Sequence, residues 1–328
     1  MNLLVRSAGF VTSVQDLGRT GFRQSGISAG GALDSHALRV ANALVNNDDA
    51  AAGLEVTLGT VRLCFADQRV VAWCGGAFTV QIGHEDLPPG HAGLVARDEE
   101  LVMTAPNPGS RAWLAISGGI NVPPVLGSRS TDLRGGFGGH EGRALRDGDT
   151  LPLGEPSISP GRVTEMFGGR RIAEWTALSA WVAIARRDRF LRIVRGPDWS
   201  RFTTGARTSL VGEPFTVTLD SDRMGARLEG PTLDLIEAGD LLSEAVAPGA
   251  LQIPPNGKPI LLLGDCQTIG GYPRIAHVIT VDLPVAAQLW PGDLVHFHEV
   301  SLAEAQELLR EREADFARFR IGLGLHSE

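Results

Sequence analysis

Short apolar runs separated by glycine and proline set the rhythm of this chain. β-favouring segments recur at residues 3–6, 60–65, 70–73, 78–82, 101–104 and 112–116, and the same style resumes at 191–194, 215–219, 259–263, 278–281 and 293–297. Short strands with turn signals at close spacing predict a mainly β protein, built as a sandwich or a barrel. Three stretches carry the helical period instead. From Asp34 to Asn46, the residues Ala37, Leu38, Ala41, Leu44 and Val45 recur at helical spacing, with Asp34 or Ser35 placed to cap the first turn. A weaker pattern runs through 172–187. Ser301-Leu302-Ala303-Glu304 is a capping box, and Ala305, Leu308, Leu309 and Phe316 follow it on one stripe, which predicts a final helix packed on the body of the protein.

The pattern also hints at two halves. Gly148-Asp149-Thr150-Leu151-Pro152-Leu153 parallels Gly292-Asp293-Leu294-Val295-His296-Phe297, and Leu4-Val5-Arg6 parallels Ile193-Val194-Arg195. The spacings differ, so two β lobes of unequal length fit better than a strict repeat. The first is expected over 1–155 and the second, with the C-terminal helix, over 189–328, joined by 156–188.

Composition narrows the classes. A chain of 328 residues with 43% apolar and 21% charged positions can bury a sizeable core, as a globular protein does. A net charge of -8 argues against broad electrostatic binding to nucleic acid, which needs a basic face. No apolar run is long enough to span a bilayer, and Met1-Asn2-Leu3-Leu4-Val5-Arg6 lacks the apolar core of a signal peptide, so no membrane and a cytoplasmic location are expected. Cys64, Cys74 and Cys266 are widely spaced and odd in number, which gives neither a disulfide framework nor a zinc motif. Lys258 is the sole lysine, and Gly257-Lys258-Pro259 breaks the nucleotide-binding loop pattern at the residue after the lysine. A Met-Lys-Met attachment site is missing, so no covalently bound biotin is expected.

The candidate chemistry lies in polar, glycine-containing blocks. Gly264-Asp265-Cys266-Gln267-Thr268-Ile269-Gly270-Gly271-Tyr272-Pro273 follows an apolar strand-like run and holds the only tyrosine. Such a strand end either presents ligand-binding groups or makes a tight turn whose Asp and Thr satisfy the backbone. Thr12-Ser13-Val14-Gln15-Asp16-Leu17-Gly18-Arg19 reads equally as a salt-bridged turn, with Asp16 and Arg19 within reach of each other. Gly26 to Asp34 could offer amides to an anion at a helix start. Gly135 to Arg143 suits a mobile lid, a phosphate-facing nest or a disordered surface loop, with Arg143 able to read a carboxylate or phosphate. Asp222 and Arg223 converge only if they sit in a turn. His296 and His298 share a strand face, yet no usual spacing supplies a third ligand, so no metal is expected.

In this order the blocks resemble a known family: the biotin-dependent carboxyltransferase family, also called allophanate hydrolase subunit 2 or KipA-like, which includes the C subunit of 5-oxoprolinase. The resemblance is carried by Thr12 to Arg19, Leu33-Asp34, Asn42 to Val45, Leu54-Glu55, Ser117-Gly118-Gly119, Leu126 to Thr131, Gly142-Arg143, Asp222-Arg223-Met224-Gly225, Asp265 to Pro273 and Pro291-Gly292-Asp293. It implies two cyclophilin-like β-barrel lobes with a few short helices. It also implies a KipI-like (allophanate hydrolase subunit 1-like) partner, a LamB/YcsF-like subunit, and ATP-dependent hydrolysis of a cyclic amide, 5-oxo-L-proline, to L-glutamate. ATP is then expected to be shared with the partners. Similar regions of fused urea amidolyases are expected to move a carboxyl group from carboxybiotin to urea, and KipA-type proteins to bind a kinase inhibitor. Within that frame Asp265, Gln267 and Tyr272 are the expected catalytic group, with Asp265 a candidate general base. Asp16, Arg19, Arg143, Arg223, Thr268, Gly270 and Gly271 are the expected substrate-binding group.

Overall fold

The computed structural model describes residues 1–105, 111–182, 188–237 and 241–325. The chain divides into two compact units: Met1–Arg19 with Gly30–Ala185 and Asp315–Glu328, and Thr20–Ala29 with Arg186–Ala314. Of the segment 156–188, read from sequence as a connection, residues 156–182 cluster with the first unit, and 20–29 cluster with the second.

The first unit is built from two six-stranded sheets. One runs in the order Thr150–Pro152, Asn2–Ala8, Thr60–Phe65, Glu100–Thr104, Thr79–Ile82, Glu85–Asp86. The other runs Ile172–Thr176, His91–Val95, Arg69–Gly75, Arg111–Ile116, Gly53–Thr57, Val11–Gln15. Every pairing in both is antiparallel. One apolar cluster, including Leu3, Val5, Leu54, Leu63, Trp73, Val80 and Leu114, draws side chains from both sheets. Burying each such side chain contributes about 1.5–3 kcal/mol.

The helix Ser35–Leu44 forms where its period predicted, and Asp34 caps it by accepting a 2.8 Å hydrogen bond from the Ala37 amide. The predicted helix over 172–187 is corrected. Ile172–Thr176 is a strand beside His91–Val95, as its β-branched and aromatic residues favour, and helix is confined to Ser179–Val182. Residues 183–187 lie outside the described residues.

The second unit contains a closed seven-strand barrel: Asp188–Arg195, Arg274–Val278, Ala250–Gln252, Ile260–Leu262, Gly225–Glu229, Phe215–Val217 and Leu294–Glu299, which returns to pair with the first strand. Strict alternation fills it. Phe215, Val217, Val295 and Phe297 are buried, while Thr216, Leu294 and His298 face outward. The strand predicted at 278–281 ends at Val278. Beyond it Thr280–Asp282 makes a single 3-10 turn leading into the helix Leu283–Ala287, whose first turn accepts Pro284. Asp282 is held there by the forked guanidinium of Arg192.

The helix Leu302–Leu325 begins at its capping box, the Glu304 amide donating to Ser301 Oγ at 3.1 Å. Its last residues belong to the first unit. There Phe316 is buried against His36 and Trp181, Arg39 covers the Phe316 ring, and Arg320 reaches Asp49. Among the described residues no helix is long and apolar enough to cross a membrane.

Candidate functional site

The predicted site residues fall into two groups, one within each unit. Asp16, Arg19 and Arg143 belong to the first, and Arg223, Asp265, Gln267, Thr268, Gly270, Gly271 and Tyr272 to the second.

In the first unit, the block expected to be a turn is mostly a buried strand, Val11–Gln15, whose polar side chains are internally bonded. Thr12 Oγ1 donates to the Ala8 carbonyl, and Gln15 Nε2 donates to Ser13 Oγ and the Thr131 carbonyl. Asp16 ends that strand. Its Oδ1 accepts from the Gly18 amide (2.8 Å), Ser128 Oγ (2.6 Å) and Ser130 Oγ (2.5 Å), and its Oδ2 accepts from the Arg129 amide (2.6 Å). Arg19, wholly buried, donates to the Ser130 carbonyl and lies over the Phe137 ring. Both charged groups therefore anchor the 128–130 loop.

The glycine-rich stretch after it is packed. Asp132 Oδ1 accepts from the amides of Arg134 and Gly135, and Asp132 forms a bridge with Phe137. Gly142 has φ +69°, and a Cβ there would collide with the Gly136 carbonyl. Those glycines permit close approach of backbone to backbone. Arg143 spends its fork on its own chain, donating to Asp149 at 2.7 and 3.0 Å and to Glu141 at 2.6 and 3.1 Å. The Arg143 guanidinium in turn holds the Asp149 carboxyl down at about 2.

Of the second group, Gln267 and Tyr272 line a cleft of about 190 Å³, and Arg223, Asp265, Thr268, Gly270 and Gly271 are not among its lining residues. Arg223 Nε and Nη2 donate to the two oxygens of Asp265 at 2.8 and 3.1 Å, and the Asp265 amide donates to the Arg223 carbonyl. This nearly buried, bidentate pair ties the end of the Ile260–Leu262 strand to the 221–225 turn. Asp222 and Arg223 do sit in a turn, where Asp222 accepts from the amides of Met224 and Gly225. Asp222, Met224, Gln252, Gln267 and Tyr272 line the cleft. Gln267 Nε2 donates to Gln252 Oε1 at 3.1 Å, and Gln252 Nε2 donates to the Tyr272 carbonyl at 3.4 Å.

The remaining predicted residues support this arrangement. Thr268 is buried, and its carbonyl accepts from the Val246 amide. Gly270 pairs with Glu244, and a Cβ on it would stand 2.5 Å from Gln252 Nε2. Gly271 and Tyr272 border a second cavity of about 700 Å³. Cys266 is fully buried, and desolvation pushes its thiol up, away from nucleophilic use. Tyr272 is 45% exposed, and among the described residues its hydroxyl has no protein partner.

Sequence reasoning missed Gln252 and Asp220. The signal for Gln252 was an amide inside the apolar run Leu251-Gln252-Ile253, a position that must be hydrogen-bonded if buried, and it is 1% exposed. Among the described residues no three His, Cys, Asp or Glu side chains gather as a metal site would require. His296 stacks on Phe190, ring centroids 4.9 Å apart.

A mainly β chain with a closed barrel and a strand-end cluster of carboxylate, guanidinium, amides and phenol matches one family over most of its length. The chain belongs to the carboxyltransferase domain family, subdomains A and B, which matches residues 25–299. It is 39% identical to the C subunit of 5-oxoprolinase from Escherichia coli K12, covering 99% of each chain. It is 34% identical to the corresponding 5-oxoprolinase C subunit of Haemophilus influenzae over 92% of each. The crystal structure of the urea amidolyase of K. lactis superposes with a TM-score of 0.83 at 27% identity, over 97% of this chain and 20% of that much larger one.

Proposed function

We propose that the chain is the C subunit of a multi-subunit, ATP-dependent 5-oxoprolinase, a hydrolase that opens 5-oxo-L-proline to L-glutamate beside a KipI-like and a LamB/YcsF-like subunit. The observation that carries this reading is the 39% identity with the Escherichia coli protein, sustained over 99% of both chains. The cleft is consistent in size and chemistry. At about 190 Å³ it is below the roughly 300–1,000 Å³ of drug-sized ligand pockets, which suits a single small ring. An amide pair complements a lactam, which offers one N–H donor and one carbonyl acceptor. Gln267 and Tyr272 stand at the cleft with hydrogen-bonding capacity to spare, and the phenol can donate to the lactam oxygen as negative charge develops there.

We read Asp265 as a positioning residue: both of its oxygens accept from the Arg223 fork, which fixes the start of the Gln267 loop. The chain's residues do not fit a nucleotide at either cavity beside Tyr272. The smaller is too small, the larger is lined by no basic side chain among the described residues, and the Lys258 ammonium is bonded to the Gly230 carbonyl. The ATP-dependent step is assigned to a partner subunit, and the role of this chain is to bind and orient the lactam.

A carboxyl-transfer reading is favoured by the family's name and by the urea amidolyase superposition. Reconstitution separates the two. The purified chain, its partner subunits, ATP and 5-oxo-L-proline are combined and glutamate is measured, with each component omitted in turn. Glutamate formed only in the complete mixture is the expected result. Turnover that needs bicarbonate and a biotin carrier, with no glutamate, replaces this reading by carboxyl transfer; a tight complex with no turnover replaces it by regulation.

A further inference from the structure

A third cavity, of about 290 Å³, lies in the second unit outside the Gln252–Gln267–Tyr272 cleft. Its polar walls are Arg23, Arg274 and His277, and its remaining lining is largely small, including Ala245, Ala247 and Ala250. The three polar residues come from separated parts of the chain. Arg23 sits in the 3-10 turn Arg23–Ser25, and Arg274 and His277 lie on the barrel strand Arg274–Val278.

The charges here are unequal. Arg274 is balanced by Glu244 and by Asp198, and also donates to the Ala245 carbonyl. Arg23 donates to the Val246 carbonyl, and among the described residues it has no carboxylate partner. His277 uses Nδ1–H on the Val278 carbonyl at 2.8 Å, so Nε2 is the ring nitrogen left for a ligand. A guanidinium without a counter-ion, facing a cavity whose small side chains leave room beside it, is the chemistry of an oxyanion site.

We infer that this cavity binds a small oxyanion, a carboxylate or a phosphate group, through Arg23, with Arg274 and His277 as its second wall. This goes beyond the lactam-opening assignment and stands on a different part of the molecule. Arg23 holds the carbonyl of Val246, whose amide donates to the Thr268 carbonyl, so an occupant of this cavity lies next to the loop that carries Asp265 and Gln267.

The test is calorimetric titration of the full chain with inorganic phosphate and, separately, with 5-oxo-L-proline. At least one is expected to bind, and Arg23→Gln is expected to weaken that binding at least tenfold, with Arg23→Lys recovering part of it. Ala247→Trp, at an exposed lining position, removes space and no charge and is expected to cause a similar loss, which covers the case in which Arg23→Gln fails to fold. Phosphate binding that Arg23→Gln weakens identifies a phosphate site, and 5-oxo-L-proline binding that Arg23→Gln weakens a carboxylate site; either upholds the inference, whereas 5-oxo-L-proline binding indifferent to both variants belongs to the Gln252–Gln267–Tyr272 cleft. Neither probe binding, or unchanged affinity in the folded Arg23 and Ala247 variants, overturns it. Glutamate formation is not read in this titration, so the cavity and the oxoprolinase reading can fail separately.

Discussion

Asp16 and Asp265 end strands in different units, each followed by glycines and each tied to a distant turn or loop, yet their surroundings differ in one respect. Around Asp16 both carboxylate oxygens accept from donors of the 128–130 loop or its own turn, four in all. Around Asp265 the carboxylate is also occupied, by Arg223, but its neighbours Gln267 and Tyr272 retain hydrogen-bonding capacity at a concavity. A dense polar motif becomes a binding site only where folding leaves some of its donors and acceptors unspent. The first region is an anchor, and the second is an anchor with a cleft beside it.

The contrast between the two regions is most exposed at Asp16. Asp16→Ala leaves four donors without their acceptor in a buried setting, and a loss of about 4 kcal/mol is expected by chemical denaturation. A loss under about 1 kcal/mol would mean that Asp16 is no anchor at all. Gln267→Ala should show the opposite profile: glutamate formation by the reconstituted complex falls on the order of a hundredfold, while denaturation midpoints barely move. If stability collapses with activity, Gln267 is structural.

A third measurement concerns acid. Because Arg143 lowers Asp149 from its ordinary 3.8 to about 2, the folded state binds fewer protons there than the unfolded state. The resulting stability, about 2 kcal/mol, is fully present above pH 4 and is lost as pH falls toward 2. The difference in unfolding free energy between the wild type and Asp149→Asn should therefore shrink across that window; a pH-independent difference excludes the Arg143 pairing as its source. The smallest effect is expected at Tyr272→Phe, about tenfold on glutamate formation with unchanged stability, since one exposed hydroxyl is removed.

Much of the architecture was legible along the chain. The strands at 60–65, 101–104, 112–116 and 293–297 form close to where their periodicity placed them, and Asp34 and Ser301 cap their helices as their side chains dictate. Local chemistry suffices for such features, because the partners lie within a few residues. Other elements escaped. Val11–Gln15 carries polar side chains that look like a turn, and it is a buried strand because Thr131 and Gly53–Thr57 satisfy it from far away. Residues 172–176 show a helical pattern and instead complete a sheet edge.

By itself the sequence determined the β grammar, the helix caps, the lack of a lysine-bearing nucleotide loop, and which blocks were rich enough in polar groups to be sites. Tertiary structure decided which of those groups remain available. Asp16 and Ser130 are 114 positions apart, and Arg223 and Asp265 are 42 apart, so their pairing cannot be read from either neighbourhood. The physical reason is that hydrogen-bonding capacity is settled by whatever partner folding brings near, and the amide of Gln252, buried between Gln267 and Tyr272, acquires its place in the cleft only when the barrel closes.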